Sequence, residues 1–381
     1  MQTINSPVYL NRISSFLPNS PVSNDDMELY LGMVDGEPSK VKPIILRQNG
    51  IKNRYYALTK NQEITHTNVD LAKCAIEKLG FSKEELRKIQ FLSCGTSMPD
   101  QYLPSHAAMV HGAVFDHPLE ISSLAGVCMS GLMAFKVAYM SILSGNSENA
   151  ISVASELISP TMLAKFFTEE IKHKKEIGEN PYLAFEKDFL RFMLSDGAAA
   201  MYLSNTREAD CCFTIEWIRT FSYANKQPAC MYMWAEKEND GTLRGWKTFN
   251  AKDIEEKSVW SLKQDVRQLN KYGMTLFVDA VETSLAQAGI DTDDITYVVP
   301  HLSSMFFYKI LEQEFQKRNI DLPTTKWFTN LSSVGNIGAA SPFVALNGLI
   351  ETKCLKKGDT ILLIVPESGR FSCGTALLKY V

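Results

Sequence analysis

Between positions 69 and 79 apolar side chains return every three or four residues, the spacing of a helix with one buried face. Gly80 and the turn Ser82-Lys83-Glu84-Glu85 end it, and positions 89–93 form an apolar run of strand length that closes on Cys94-Gly95-Thr96-Ser97. The same order returns in the second half of the chain. A helical stretch over 276–288 leads through Gly289 and Asp291-Thr292-Asp293-Asp294 into a strand at 295–300, closing on His301-Leu302-Ser303-Ser304. Farther along, Gly126-Val127-Cys128 precedes an almost uncharged helix at 132–143, and Val334-Gly335-Asn336 precedes another at 342–349. Each of these helices is followed by a strand, at 151–154 and 360–365. The separations match as well, 34 positions from Cys94 to Cys128 and 35 from His301 to Asn336. Helices alternating with strands at these lengths predict βαβ units. Their repetition predicts two fused copies of one unit about a pseudo-twofold axis, residues 1–205 and 206–381, with Cys128 and Asn336 facing across it and His301 close by.

The turn at Leu124-Ala125-Gly126-Val127-Cys128-Met129-Ser130-Gly131 places a thiol at a helix N-terminus. Unpaired N–H groups and the helix dipole there favour a thiolate. A Cys in apolar surroundings is more often a packed small hydrophobe; the repeat, with a His and an Asn at the matching turns, favours chemistry here. His301 follows four apolar residues and a proline, at the C-terminal end of a buried strand, where open α/β sheets hold their ligands. A nucleophile with two nitrogen donors suits thioester chemistry.

Composition narrows the field. With 381 residues the chain has room for two large cores. A formal charge of −4 and the absence of basic runs argue against nucleic acid as the main partner. No uninterrupted apolar stretch is long enough to span a membrane, and the start Met1-Gln2-Thr3-Ile4 has no secretory pattern. Eight cysteines without an export signal point to free thiols and the cytoplasm. Cys211 and Cys212 are adjacent and no CxxC pair exists, so neither a structural zinc site nor a cofactor is expected.

Five segments, in this order, carry a resemblance to the thiolase-like condensing enzymes, and most closely to the ketoacyl-acyl carrier protein synthase III group. They are the Cys turn at 126–131, Ser195-Asp196-Gly197-Ala198-Ala199-Ala200, Val299-Pro300-His301, Gly335-Asn336-Ile337-Gly338-Ala339-Ala340-Ser341, and Gly369-Arg370-Phe371-Ser372-Cys373-Gly374. The resemblance spans roughly residues 45–381. It implies a five-layered αβαβα fold, a homodimer, and a catalytic triad of Cys128, His301 and Asn336. It also implies acyl-CoA or acyl carrier protein thioesters as substrates, with Cys128 forming an acyl-enzyme. The N–H groups of Cys128 and Gly369 would then hold the oxyanion. His301 and Asn336 would stabilise the enolate left when a second thioester loses CO2.

Departures from the family pattern point to a specialised member. Leu302-Ser303-Ser304 replaces the usual residues after the His, and Pro366-Glu367-Ser368-Gly369-Arg370-Phe371 replaces a glycine-rich loop. A long insertion, 157–194, carries Met162, Leu163, Phe166, Phe167 and Ile171 at helical spacing, then Phe185, Phe189, Phe192 and Met193. Such stripes usually pack as core, and in this family the region covers the acyl site, so a lid is the other reading. Substrate contacts are therefore expected from Phe166, Phe167, Ser303, Glu367, Arg370 and Phe371, with Arg370 receiving polar groups of a β-keto acyl substrate. The pattern is similar to ketosynthases that join an acyl and a β-keto acyl unit on the way to dialkylresorcinols. Ordinary fatty-acid chain initiation and a non-catalytic acyl-binding partner remain the alternatives. A degradative thiolase, a plant-type polyketide synthase and a papain-like hydrolase each lack a required feature.

Overall fold

A computed structural model describes residues 7–176, 184–208 and 212–381; Cys211 and part of the insertion lie outside these residues. The principal elements of the first half are β1 (Tyr9–Phe16), α1 (Asn68–Glu77), β2 (Phe91–Thr96), α2 (His106–Val114), β3 (Glu120–Ala125), α3 (Met129–Leu143) and β4 (Asn149–Glu156). The insertion contributes α4 (Thr168–Glu176) and α5 (Ala184–Arg191), and β5 (Gly197–Ser204) follows. The second half has β6 (Phe213–Ser222), α6 (Met274–Ala288), β7 (Tyr297–Pro300), α7 (Phe306–Lys317), α8 (Ser341–Thr352), β8 (Thr360–Glu367) and β9 (Ser372–Tyr380).

Strands follow the order β7-β8-β9-β6-β1-β5-β4-β2-β3. Read outward from the centre, each half repeats the other. β1 and β6 meet through only two residue pairs, Tyr9 with Thr214 and Leu10 with Phe213. Beyond them β5 and β9 run antiparallel to their neighbours, while β4 with β2 and β8 with β7 run parallel. A parallel bridge between Val298 and Trp327 stands where the first half has β3. The expected duplication is therefore present in the backbone, joined edge to edge into one mixed sheet.

Alternation along the strands builds the layers, because successive side chains point to opposite faces. On β4, Ala150 and Ala154 join a central cluster, while Ile151 and Val153 join an outer one with α1 and α2. On β8, Ile361, Leu363 and Val365 face the same central cluster, and Leu362 and Ile364 face α6 and α7. The centre is filled by α3 and α8, whose Phe135 and Phe343 rings lie 5.3 Å apart. Helix, sheet, helix, sheet and helix thus stack as five layers. An almost uncharged α3 is what a helix covered on both sides requires; its one cation, Lys136, donates to Thr220 Oγ1 at 2.9 Å.

Local chemistry sets the ends of these helices. Thr67 and Asp70 form a capping box on α1, and Gly289 closes α6 in the left-handed region at φ 63°. The helix read at 276–288 begins two residues earlier and is preceded by a π-helical turn over Leu269–Gly273. The insertion does not behave as a loose cover. Arg191, 1% exposed, donates to the carbonyls of Met162, Leu31 and Gly32 and pairs with Asp188 at 3.0 Å. Those bonds fasten its described parts into the body of the protein.

Candidate active site

Cys128 occupies the N-cap of α3 with helical dihedrals and is 7% exposed. The expected thiolate is not what this environment favours at rest. Burial pushes the thiol well up, and the carboxylates of Glu367 and Glu156 push it further; hydrogen bonding at the helix end opposes them and loses. The helix end was legible in the sequence, whereas the desolvation and the two acids were not.

His301 closes β7, and its N–H donates to the carbonyl of Ile364 at 2.8 Å, tying it to β8. Burial lowers its imidazole to about 4, so the ring is neutral at neutral pH. A neutral ring can donate a hydrogen bond without bringing a proton that titrates in the working range. Asn336 is held at both backbone groups: its N–H donates to Met193 O at 3.0 Å, and its carbonyl accepts from Ser195 N at 2.9 Å. Its side-chain Oδ1 accepts from Gly338 N at 3.0 Å and Ser341 Oγ at 3.3 Å. With the oxygen so engaged, the amide nitrogen is the group left for the cavity.

Glu156, at the end of β4, organises this region. Its Oε1 accepts from Thr96 Oγ1 and from the N–H groups of Ser97 and Met98 at 2.9 to 3.1 Å. Its Oε2 accepts from Ser97 Oγ at 2.6 Å and from Ala339 N at 3.1 Å. Gly338, at φ 49°, is required beside it, because a Cβ there would lie 2.3 Å from Glu156 Oε2. Gly131 has a similar role in α3, where a Cβ would lie 2.2 Å from the carbonyl of Ala339. The Cys-bearing helix and the Asn-bearing loop thus approach with no room for a side chain between them. The signal that could have found Glu156 is its match with Glu367, since both end an eight-residue strand in equivalent places.

Two cavities open on Cys128. One has a volume of about 290 Å³ and is bordered by Glu156, Asn336 and the side chains of Met98, Met193, Met231 and Met233. The other, a much narrower slot of about 50 Å³, runs past His301 toward α6 and α7. Cys128, Ser303 and Ser368 border both. The structure thus brings Cys128, His301, Asn336 and Ser303 together.

The remaining expected contacts fall elsewhere. Phe166 is 55% exposed, and Phe167 is buried in the body of the insertion under the Lys187 ammonium, 4.9 Å from its ring centre. Phe371 packs in the second-half core against Phe277, its ring 6.2 Å away. Arg370 is exposed, and its Nε donates to Gln227 O at 3.0 Å; it neither borders a cavity nor pairs with Glu367. Glu367 instead folds back on its own loop, accepting from Gly369 N at 2.5 Å and Ser372 N at 3.3 Å. The Gly369 N–H expected in an oxyanion hole is therefore occupied by a carboxylate. Burial pushes that carboxyl group above its usual range, and among the described residues it has no ion-pair partner.

Comparison with known proteins agrees with this architecture. Residues 285–380 match the family described as 3-oxoacyl-[acyl-carrier-protein (ACP)] synthase III C terminal. A β-ketoacyl-[acyl-carrier-protein] synthase III of Clostridium perfringens is 25% identical, over 96% of each chain. Among solved structures, AbyA1, a tetronic acid condensing enzyme, superposes with a TM-score of 0.75 at 19% identity, covering 98% of this chain and 99% of its own. OleA of Xanthomonas campestris gives 0.73 at 20% identity, covering 98% of both. The fold is the thiolase fold that these condensing enzymes share. Over nearly its whole length the chain is similar to β-ketoacyl-[acyl-carrier-protein] synthase III acyltransferases, and its C-terminal quarter matches the model of that family.

Proposed function

We propose that the protein joins two acyl units by decarboxylative Claisen condensation, the second being a carboxylated β-keto acyl thioester, as in the formation of dialkylresorcinol-type products. The observation that carries this reading is the position of Cys128 where two cavities meet, with His301 bordering one and Asn336 the other. Chain initiation with a two-carbon primer needs one small acyl site; two separate cavities reaching the same thiol suit two chains. The likeness in fold to a tetronic acid condensing enzyme fits a role outside ordinary fatty-acid synthesis.

In the first step the Cys128 sulfur attacks the thioester carbonyl. A new C–S bond forms, the bond to the carrier breaks, and the thiol proton ends on the released carrier thiol. In the second step the β-keto acyl thioester, carrying a carboxylate on its α-carbon, binds with its thioester oxygen between the His301 ring and the Asn336 amide. Loss of CO2 leaves an enolate that these two neutral donors stabilise. Its carbon attacks the acyl-enzyme carbonyl, the bond to Cys128 breaks, and the cysteine recovers a proton. No cofactor enters this scheme; CoA or phosphopantetheine thioesters are the substrates, brought as acyl-CoA or by acyl carrier protein.

Two further expectations belong to the same reading. The protein pairs with a second copy: β3 is the open edge of the sheet with exposed positions along it, and Tyr102 and Leu103 nearby are more than three-quarters exposed. It works in the cytoplasm, in keeping with cysteines that are all free among the described residues. Among those residues no helix is long and apolar enough to cross a membrane.

Intact-protein mass spectrometry against a panel of thioesters tests the reading. The expected result is a stable acyl adduct on Cys128, consumed faster by carboxylated β-keto acyl thioesters than by malonyl thioester. Equal use of malonyl thioester returns the protein to ordinary chain initiation, and no adduct with any thioester makes it a non-catalytic acyl-binding partner.

A further inference from the structure

We infer that the narrow cavity behind His301 is a binding site for hydrocarbon, and that it receives the tail of the second acyl unit. The inference rests on the condensing reading above and adds where the second chain lies.

The polar groups of this cavity are confined to its mouth. His301, Ser303 and Ser368 stand there beside Cys128. Deeper in, the walls are Leu269, Met274, Phe277 and Val281 on one side and Phe307 and Leu311 on the other. A phosphopantetheine arm carries two amides, and an amide taken from water without a partner costs several kcal/mol. The deep end presents side chains that offer no such partner, so an arm is excluded from it and an alkyl chain is accepted. The larger cavity differs: it contains Glu156, Gln264 and Asn336 along with its methionines, and it borders Ile158, Met193 and Leu194 at the two ends of the insertion. The acyl group on Cys128 fits that side, next to the segment that covers the acyl site in similar enzymes. The slot past His301 is then left for the other chain, which enters with its carbonyl beside the ring.

The backbone is specialised at this cavity as well. The π-helical turn over Leu269–Gly273 inserts an extra residue ahead of α6, and Leu269 and Met274 from its two ends both line the slot. Single π turns inside helices are frequent at functional sites. Val281 and Phe277 lie one turn apart on α6, and Leu311 faces them from α7, so one substitution on either helix can fill or open the space.

The experiment uses the full-length protein with Val281→Phe and Leu311→Phe to fill the slot and Phe277→Ala to enlarge it. Acylation of Cys128 by the first thioester is read by intact mass, and condensation is read with carboxylated β-keto acyl thioesters of increasing chain length. In the filled variants acylation is expected to continue, while condensation with long β-keto substrates falls about tenfold or more relative to short ones. In Phe277→Ala the optimum is expected to move to longer chains. The assignment is overturned if the filled variants condense long chains at the unmutated rate, or if filling blocks acylation by the first chain instead. Should both filled variants fail to fold, an unmoved chain-length optimum in Phe277→Ala overturns it. If the unmutated protein takes no acyl group on Cys128, the condensing reading falls and this assignment with it; an acylated enzyme indifferent to filling refutes the cavity assignment alone.

Discussion

Glu156 Oε2 accepts a hydrogen bond from the N–H of Ala339 at 3.1 Å, across the seam between the two halves of the chain. One carboxyl group of the first half thereby holds the loop that positions Asn336 in the second. Glu156→Ala would strand the buried N–H of Ala339, costing about 1–3 kcal/mol, and remove a partner from the half-buried N–H of Ser97, while Met98 N–H keeps Thr96 Oγ1. The expected outcome is a clear drop in melting temperature and loss of condensation, with Glu156→Gln intermediate in both. Thermal melts beside turnover assays check it; an unchanged melt for Glu156→Ala counts against the seam.

Cys128→Ala should abolish acylation. Cys94 and Cys373, the next candidate nucleophiles, lie in the hydrophobic clusters on the outer faces of the two halves of the sheet, and burial pushes both thiols up. Thioester challenge followed by peptide mapping should find no adduct at either position.

Glu367→Gln removes a negative charge that disfavours the Cys128 thiolate. The thiol should become more acidic, and iodoacetamide labelling at a fixed mildly alkaline pH should speed up, read as a shift of the rate–pH curve to lower pH. The stability effect has a definite sign. Burial raises the folded-state pKa of Glu367, so the unfolded chain gives up its proton first as pH rises, and stability declines upward from the ordinary carboxylate range. Glu367→Gln should flatten that decline in denaturant melts.

His301→Ala and Asn336→Ala should both still be acylated at Cys128 but condense about 10²–10³-fold more slowly, the usual cost of one oxyanion donor. Since His301 titrates near 4, the decarboxylation rate should show no histidine limb between pH 5.5 and 8. His106, also lowered to about 4 by burial, adds to the stability side. Unfolding lets each ring take up a proton below about 6.5, so stability falls as pH drops from there toward 4, by ~3 kcal/mol per ring at most. Replacing His106 with Gln should reduce that slope.

Arg370→Gly should leave substrate preference unchanged, because the guanidinium is exposed and donates to the Gln227 carbonyl away from both cavities. Competition between β-keto and malonyl thioesters checks this; a shift toward malonyl would return Arg370 to the substrate site.

What could be read from the chain follows from how each feature is encoded. The strand at 360–367 was legible because Ile361, Leu363 and Val365 serve one layer and Leu362 and Ile364 another, which makes the whole run apolar. Cys128, His301 and Asn336 were legible because the duplication repeats their spacing. Phe371 and Arg370 were not, since the direction of their side chains depends on a loop that turns through φ 58° at Phe371. The slot past His301 was hidden for another reason: Phe277, Val281 and Leu311 lie on helix faces whose periodicity is the same whether they meet a neighbour or a void.

The lining of the larger cavity sets how the protein treats variety among its substrates. Met98, Met193, Met231 and Met233 are unbranched and can repack around chains of different bulk. At the other extreme, the contact of Gly131 with the Ala339 carbonyl leaves no play where the thiol and the amide meet. A catalyst built this way is exacting about where the reacting carbon sits and forgiving about what trails behind it, so a homologous series of acyl donors should differ more in binding than in the rate of the bond-forming step.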